Sequence, residues 1–230
     1  MLRYGSALAQ NRPIATAKIR IVCNITTHNR RFYLTTTDKS EENSIISTIN
    51  RIMERKKEIR AEVRRRIKEL SAEQMTSASA SIFSQIEQLD SFKEARCIAL
   101  FAAMHDEVPT QIALDRWPKL GRRIVVPRVE GDIMRFYDYS ADKMRTGAFG
   151  IEEPEGDVEC AAEDIDLIIV PARAFTTSGE RLGRGGGFYD KYMSLEGFHA
   201  HTTGIAFSCQ IFDSLPTDPH DIKVDEVVTE

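Results

Sequence analysis

Cysteine is scarce in this 230-residue chain and widely scattered. Cys23, Cys97, Cys160 and Cys209 form no C-x-x-C pair, which removes the common zinc spacings and leaves no disulfide framework to read. A reducing, cytoplasmic compartment is the expectation. Long apolar runs are missing as well. None approaches the roughly 18 residues of a membrane span, so no membrane partner is expected. No Gly-Lys pair occurs, which excludes the phosphate loop G-x-x-x-x-G-K-[ST]. Acidic residues are absent from Met1 to Thr37 and in excess later. Residues 1–52 hold eight Lys and Arg against three Asp and Glu; the rest holds 23 against 32, a net charge of −9. So acidic a body has no global attraction for nucleic acid, and any anion must be held by a local site.

What is present is an ordinary globular composition, 42% hydrophobic and 29% charged, long enough to need no staples. Two segments are expected: 1–52 as an N-terminal extension and 53–230 as the functional domain. The extension has no sustained helical period and is rich in Thr, Ala and Arg. Three readings stay open for it. It is unstructured sequence upstream of a natural start at Met53, or an Arg-rich, acid-poor transit peptide implying organellar import, or a real extension that packs. The run Ile19–Ile25 can pair as a strand.

From Ile52 the pattern is regular. Ile52, Ile59, Val63, Ile67 and Leu70 share a helical face. Ser71 and Gln74 form a capping box before a helix marked by Met75, Ala78, Ile82, Phe83, Ile86 and Leu89. Ile98–Met104 reads as a buried strand, Pro109–Leu120 as a helix ended by Gly121, and Ile124–Val126 as a strand stopped by Pro127. Ile133–Tyr139 is a strand with mixed faces, 140–163 a loop, and Asp166–Val170 the clearest strand. A short helix over Phe188–Leu195 and strands at Gly204–Phe207 and Glu226–Thr229 follow. Strands alternating with helices predict an α/β fold in a single domain, a mainly parallel sheet with helices on both faces.

The chemistry concentrates in Gly179–Asp190, with five glycines between Gly179 and Gly187. Glycine lets backbone N–H groups turn toward an anion and lets a phosphate approach closely. Arg181 and Arg184 add charge-assisted contacts. Asp190 would be repelled by bare phosphate, a conflict that Mg²⁺ between them removes. The dinucleotide fingerprint fails, because Phe188 stands where its third glycine belongs. Lys56 and Arg60 share a helix face, although spacing alone fits a solvated surface better. Glu107, after a buried strand, reads either as a substrate ligand or as a helix cap. Phe149 beside a turn covers a flat ring or plugs the loop. Asp221 reaches a metal or is a solvated turn acid. Trp117 reads as packing.

Six blocks in order carry a resemblance: Lys56-x-x-x-Arg60, Met104-His-Asp-Glu-Val-Pro109, Phe149-Gly-Ile-x-x-Pro154, Asp166-Leu-Ile-Ile-Val-Pro171, Arg181-Leu-Gly-Arg-Gly-Gly-Gly-Phe-Tyr-Asp190 and His220-Asp-x-x-Val-Asp-Glu226. Over about Met53–Glu230 the chain resembles the 5-formyltetrahydrofolate cyclo-ligase (5,10-methenyltetrahydrofolate synthetase) family. The resemblance implies an α/β enzyme using ATP and Mg²⁺. ATP phosphorylates the formyl oxygen of 5-formyltetrahydrofolate, the bridging nitrogen attacks the resulting iminophosphate, and ADP, phosphate and 5,10-methenyltetrahydrofolate result. It implies Lys56, Lys57, Glu58, Ile59 and Arg60 at ATP, with Lys56 and Arg184 catalytic. Gly179, Arg181, Leu182, Gly183, Arg184, Gly185, Gly186, Gly187, Phe188 and Tyr189 form the ATP loop. Gly185, Gly187 and Tyr189 also touch folate, with Ala102, Met104, Glu107 and Phe149. Asp190 and Asp221 take Mg²⁺. A monomer is expected. The alternatives are a non-catalytic nucleotide- or folate-binding module, or a related ATP-dependent enzyme acting on another formyl or amide substrate. The sequence departs from the family pattern at Arg173, where small or apolar residues are usual, and at Thr176, often Asp.

Overall fold

The computed structural model describes residues 20–26, 29–35, 39–147, 150–218 and 220–230. The chain divides into two units, Met1–Arg51 and Ile52–Glu230. In the first, β1 (Arg20–Thr26) and β2 (Asn29–Thr35) pair as an antiparallel hairpin, Ile21 opposite Leu34. Helix α1 (Lys39–Lys68) begins there and runs on into the second unit, so helix formation starts well ahead of the apolar pattern at Ile52.

In the second unit, Ile59, Val63 and Ile67 of α1 are buried. Burial of side chains of this size stabilises by roughly 1.5–3 kcal/mol each, which fixes which face of α1 turns inward. Helix α2 (Ala72–Ile86) opens with the expected capping box. Gln74 N donates to Ser71 Oγ at 3.1 Å and Ser71 N donates to Gln74 Oε1 at 2.7 Å. A short α3 (Asp90–Glu94) follows, which the sequence reading lacks; Leu89, taken as the end of α2, is its N-cap. The remaining elements are β3 (Cys97–Ala99), α4 (Gln111–Arg116), β4 (Arg123–Glu130), β5 (Ile133–Asp138), β6 (Met144–Thr146), β7 (Glu152–Pro154), β8 (Glu159–Cys160), β9 (Leu167–Pro171), β10 (Ala174–Phe175), β11 (Arg181–Leu182), α5 (Phe188–Met193), β12 (His201–Ile205) and β13 (Glu226–Val228).

A seven-stranded sheet runs in the order β13-β12-β9-β3-β4-β5-β8. Its first five strands are parallel, and β5 and β8 extend it antiparallel. Alternation along the strands builds two cores. Ile98, Ile124, Val126, Leu167 and Ile169 pack with Ile59, Val63, Ile82, Phe83 and Trp117. Cys97, Ala99, Val125, Ile168 and Val170 pack with Tyr192 and Met193 of α5. Helices therefore cover both faces, as expected. Trp117 is fully buried, edge-on to Phe83, with its Nε1 donating to Glu87 at 2.7 Å.

Four expectations about elements are corrected. Strand β3 stops at Ala99 rather than Met104, because Phe101 O and Ala103 N turn away to bond Thr110 Oγ1, at 2.8 and 3.1 Å. Strand β4 passes through Pro127 instead of ending there. Leu100 N donates to Val125 O, so Val125 and Pro127 turn the same edge toward β3, whose pairing ends at Ala99–Val125. The N–H that proline lacks thus falls where the neighbouring ladder has finished. The span 140–163 also holds the β6–β7 pair and β8. Helix α4 ends at Arg116 and a 3₁₀ turn carries the chain to Gly121, whose φ of 81° is left-handed.

Candidate active site

Polar groups gather beyond the carboxyl ends of β3 and β9, where ligands bind in open α/β sheets. Helix α1 brings two of them on the face that also carries Ile59. Lys56 is nearly buried and its Nζ donates to Asp218 Oδ2 at 2.7 Å and Asp221 Oδ2 at 2.8 Å. Arg60 Nε donates to Gly183 O at 2.8 Å, which ties the helix to the glycine-rich loop. Lys57 and Glu58 stand on the exposed face, paired with Glu54 and Arg55, and Ile59 belongs to the core.

The loop is anchored by a small hairpin. Strands β10 and β11 pair Ala174 with Leu182 and Phe175 with Arg181. Thr176, buried at the turn, accepts Glu180 N at Oγ1 (3.1 Å) and Gly179 N at its carbonyl (3.1 Å). A hydroxyl thus serves the turn where the family pattern often has a carboxylate. Gly179 has φ 85°, and a Cβ there would lie 2.1 Å from Val224 O. It is a packing glycine as much as a loop glycine. Gly185 and Gly187 also have left-handed φ, 112° and 70°, and Gly187 caps α5. That helix has six residues, so any anion here would rely on the loop N–H groups and side-chain cations more than on a helix dipole.

The two loop arginines diverge. Arg181 is buried in β11. Its Nη2 lies 2.6 Å from Asp190 Oδ1, an ion pair without hydrogen-bond alignment, and its guanidinium lies over Tyr189. Asp190 Oδ1 also accepts Ile222 N at 3.0 Å, which ties it to the segment that carries Asp221. Burial raises the Tyr189 phenol above its ordinary pKa. Arg184 is the more open of the two. Its Nε donates to Glu107 Oε1 at 2.9 Å and its Nη2 to Asp106 Oδ1. Glu107 Oε2 accepts Met104 N at 2.9 Å.

Asp106 is also hydrogen-bonded by Arg173. Burial works to raise the Asp106 carboxyl; its bonds to Arg184 and Arg173, with their charges, outweigh that and hold it below its ordinary value. For Arg184, desolvation works to lower the pKa and the attraction of Glu107 and Asp106 overcomes it. Arg173 is therefore accommodated as half of a buried ion pair. Removing either partner of such a pair typically costs about 3–5 kcal/mol.

Beside this cluster a groove of about 360 Å³ is lined by Ala102, Ala103, Pro109, Leu114, Tyr139 and Met144 among others. Ala102 is the predicted folate contact it includes. Phe149 lies outside the described residues. Among the described residues no group of three or more His, Cys, Asp or Glu could hold a metal. Asp190 is paired with Arg181 and Asp221 with Lys56; Mg²⁺ commonly takes one or two carboxylates and completes its shell with phosphate and water.

The sequence reading took Lys56, Arg60, Glu107, Arg184, Asp190 and Asp221, and the structure brings these to one end of the sheet. Asp106, Asp218 and Arg173, for which the sequence predicts no site role, join the same cluster. The signal for the first two was adjacency, since each stands one or three residues from a chosen carboxylate. No sequence signal joined Arg173 to Asp106, which lies far off along the chain.

Fold and site together define an α/β protein with a glycine-rich loop beyond the carboxyl ends of its parallel strands. The chain belongs to the 5-formyltetrahydrofolate cyclo-ligase family, whose model matches residues 52–230. It is similar to the 5-formyltetrahydrofolate cyclo-ligase of Mus musculus, 31% identical over 194 residues, covering 76% of this chain and 93% of the relative. The Escherichia coli K12 cyclo-ligase is 26% identical, covering 73% and 96%. Among solved structures, the 5,10-methenyltetrahydrofolate synthetase of Aquifex aeolicus matches with TM-score 0.68 and 34% identity, covering 75% of this chain and 88% of that one.

Proposed function

We propose that the chain converts 5-formyltetrahydrofolate to 5,10-methenyltetrahydrofolate, with ATP consumed and ADP and phosphate released. The observation that carries this reading is the convergence of four sequence-distant segments: Lys56 and Arg60, Asp106 and Glu107, Gly183–Asp190, and Asp218 and Asp221, in a chain of this family.

The chemical problem is a poor leaving group. A formyl oxygen departs only once it is phosphorylated, after which the bridging nitrogen attacks the formyl carbon and phosphate leaves. Phosphoryl transfer asks the protein chiefly for positioning and charge neutralisation. Lys56, Arg60 and Arg184 supply cations for the triphosphate, each contact to a charged group being worth on the order of 1.5–3 kcal/mol. The N–H groups of Gly183–Gly187 line the same anion. Arg181 orients Asp190 from its buried position. Asp190 and Asp221 would hold Mg²⁺, which when bound neutralises phosphate charge. Glu107 faces the folate, and the groove lined by Ala102, Tyr139 and Met144 receives its flat ring.

The test is absorbance at the methenyl-folate band with purified protein, 5-formyltetrahydrofolate and Mg²⁺, with and without ATP. An ATP-dependent rise is expected. No rise from folded protein that binds ATP would sink the reading and favour another formyl or amide substrate.

A further inference from the structure

We infer that Arg173 tunes the phosphate affinity of the site by neutralising Asp106, so that Arg184 is free to exchange a carboxylate for a phosphate. The inference rests on the reading of Arg184 as a phosphate ligand.

Arg173, Arg184, Asp106 and Glu107 form one chain of contacts: Arg173 to Asp106 Oδ2, Asp106 Oδ1 to Arg184, and Arg184 to Glu107. Formally the four charges cancel. Exposure decides which member meets an incoming anion. The side chains of Arg173, Asp106 and Glu107 are 8%, 12% and 11% exposed, against 32% for Arg184. Arg173 is also fixed by its backbone, its N donating to Leu182 O at 2.8 Å and its O accepting Gln210 Nε2 at 3.0 Å. Arg184 is the cation that can turn.

To reach a phosphate, Arg184 must leave Asp106. With Arg173 in place, the carboxylate it leaves keeps a cation. Without Arg173, the move strands a nearly buried carboxylate, and breaking a buried pair in that way is strongly unfavourable. The site would then carry two acids against one base, repelling phosphate as well as gripping Arg184. Arg173 never touches the phosphate; it is a positioning residue that acts through Asp106. Loss of Arg173 therefore weakens anion binding, and neutralising Asp106 in the same molecule restores it.

The measurement is calorimetric titration of the full chain with inorganic tripolyphosphate, each variant's fold checked by thermal melting. Arg173→Gln is expected to weaken binding by about tenfold or more, the size of a lost charge-assisted contact. Arg173→Lys is expected to retain binding, and Arg173→Gln with Asp106→Asn to recover to within about threefold of the parent. A double variant no tighter than Arg173→Gln overturns the inference, as does Arg173→Gln binding like the parent. If Arg173→Gln fails to fold, Asp106→Asn alone decides. It is expected to bind at least as tightly as the parent, and a tenfold loss overturns the inference. Parent protein that binds no tripolyphosphate overturns the nucleotide reading, and this inference with it.

Discussion

Arg181 and Arg184 stand three residues apart in one loop, and their surroundings give them different work. Arg181, with its side chain only 4% exposed, is committed to Asp190. Arg184 is held by two carboxylates near solvent and can exchange one of them. Asp190 consequently has two duties, as counter-ion to a buried arginine and as proposed Mg²⁺ ligand. Asp190→Asn is expected to cost roughly 1–3 kcal/mol of stability, since the amide still accepts from Ile222 N but no longer neutralises Arg181. Turnover is expected to fall by roughly 100-fold or more and to recover only partly at high Mg²⁺. Thermal melts and Mg²⁺ titrations of the rate separate the two effects. An unchanged Mg²⁺ dependence would remove Asp190 from the metal site.

At the scale of elements, α1 and the β10–β11 hairpin do the positioning. One face of α1 carries both core anchors and site cations, because Lys56 and Arg60 each stand three residues before a core anchor, Ile59 and Val63, on a 3.6-residue period. The hairpin is locked against the segment before β13 through Gly179, where Val224 N donates to Gly179 O at 2.9 Å. Gly179→Ala forces a left-handed residue and a Cβ 2.1 Å from Val224 O. A destabilisation on the order of 3 kcal/mol is expected, a fall in Tm of about 6–12 °C for a domain of this size. Gly156→Ala is the control, because its Cβ meets nothing within 4 Å and its φ is ordinary. Equal melts for the two variants would show that the close approach at Gly179 is not what holds the hairpin.

For the whole molecule, the sheet, both cores and every contact of the site lie in Ile52–Glu230. Deleting residues 1–51 is expected to leave ATP-dependent turnover within about twofold, a change of roughly 0.4 kcal/mol. The check is the absorbance assay alongside a melt of the truncated chain. Loss of folding on truncation would assign the first unit a structural role.

Local rules reach far in this sequence. The capping box at Ser71, the left-handed Gly121, the buried run of β9 and the glycine-rich loop each follow from interactions within a few residues, and the order of strands and helices follows from periodicity. Which cation meets which carboxylate does not, because Lys56 with Asp218 and Asp221, Arg173 with Asp106, and Arg184 with Glu107 are partners brought together only by the parallel crossovers. The same holds for Pro127, which ends a strand by local rule and continues one here because β3 stops pairing two residues earlier on that side. Local geometry is encoded in neighbours along the chain. Charge pairing and the fate of a missing N–H depend on neighbours in space, and those the tertiary structure alone decided.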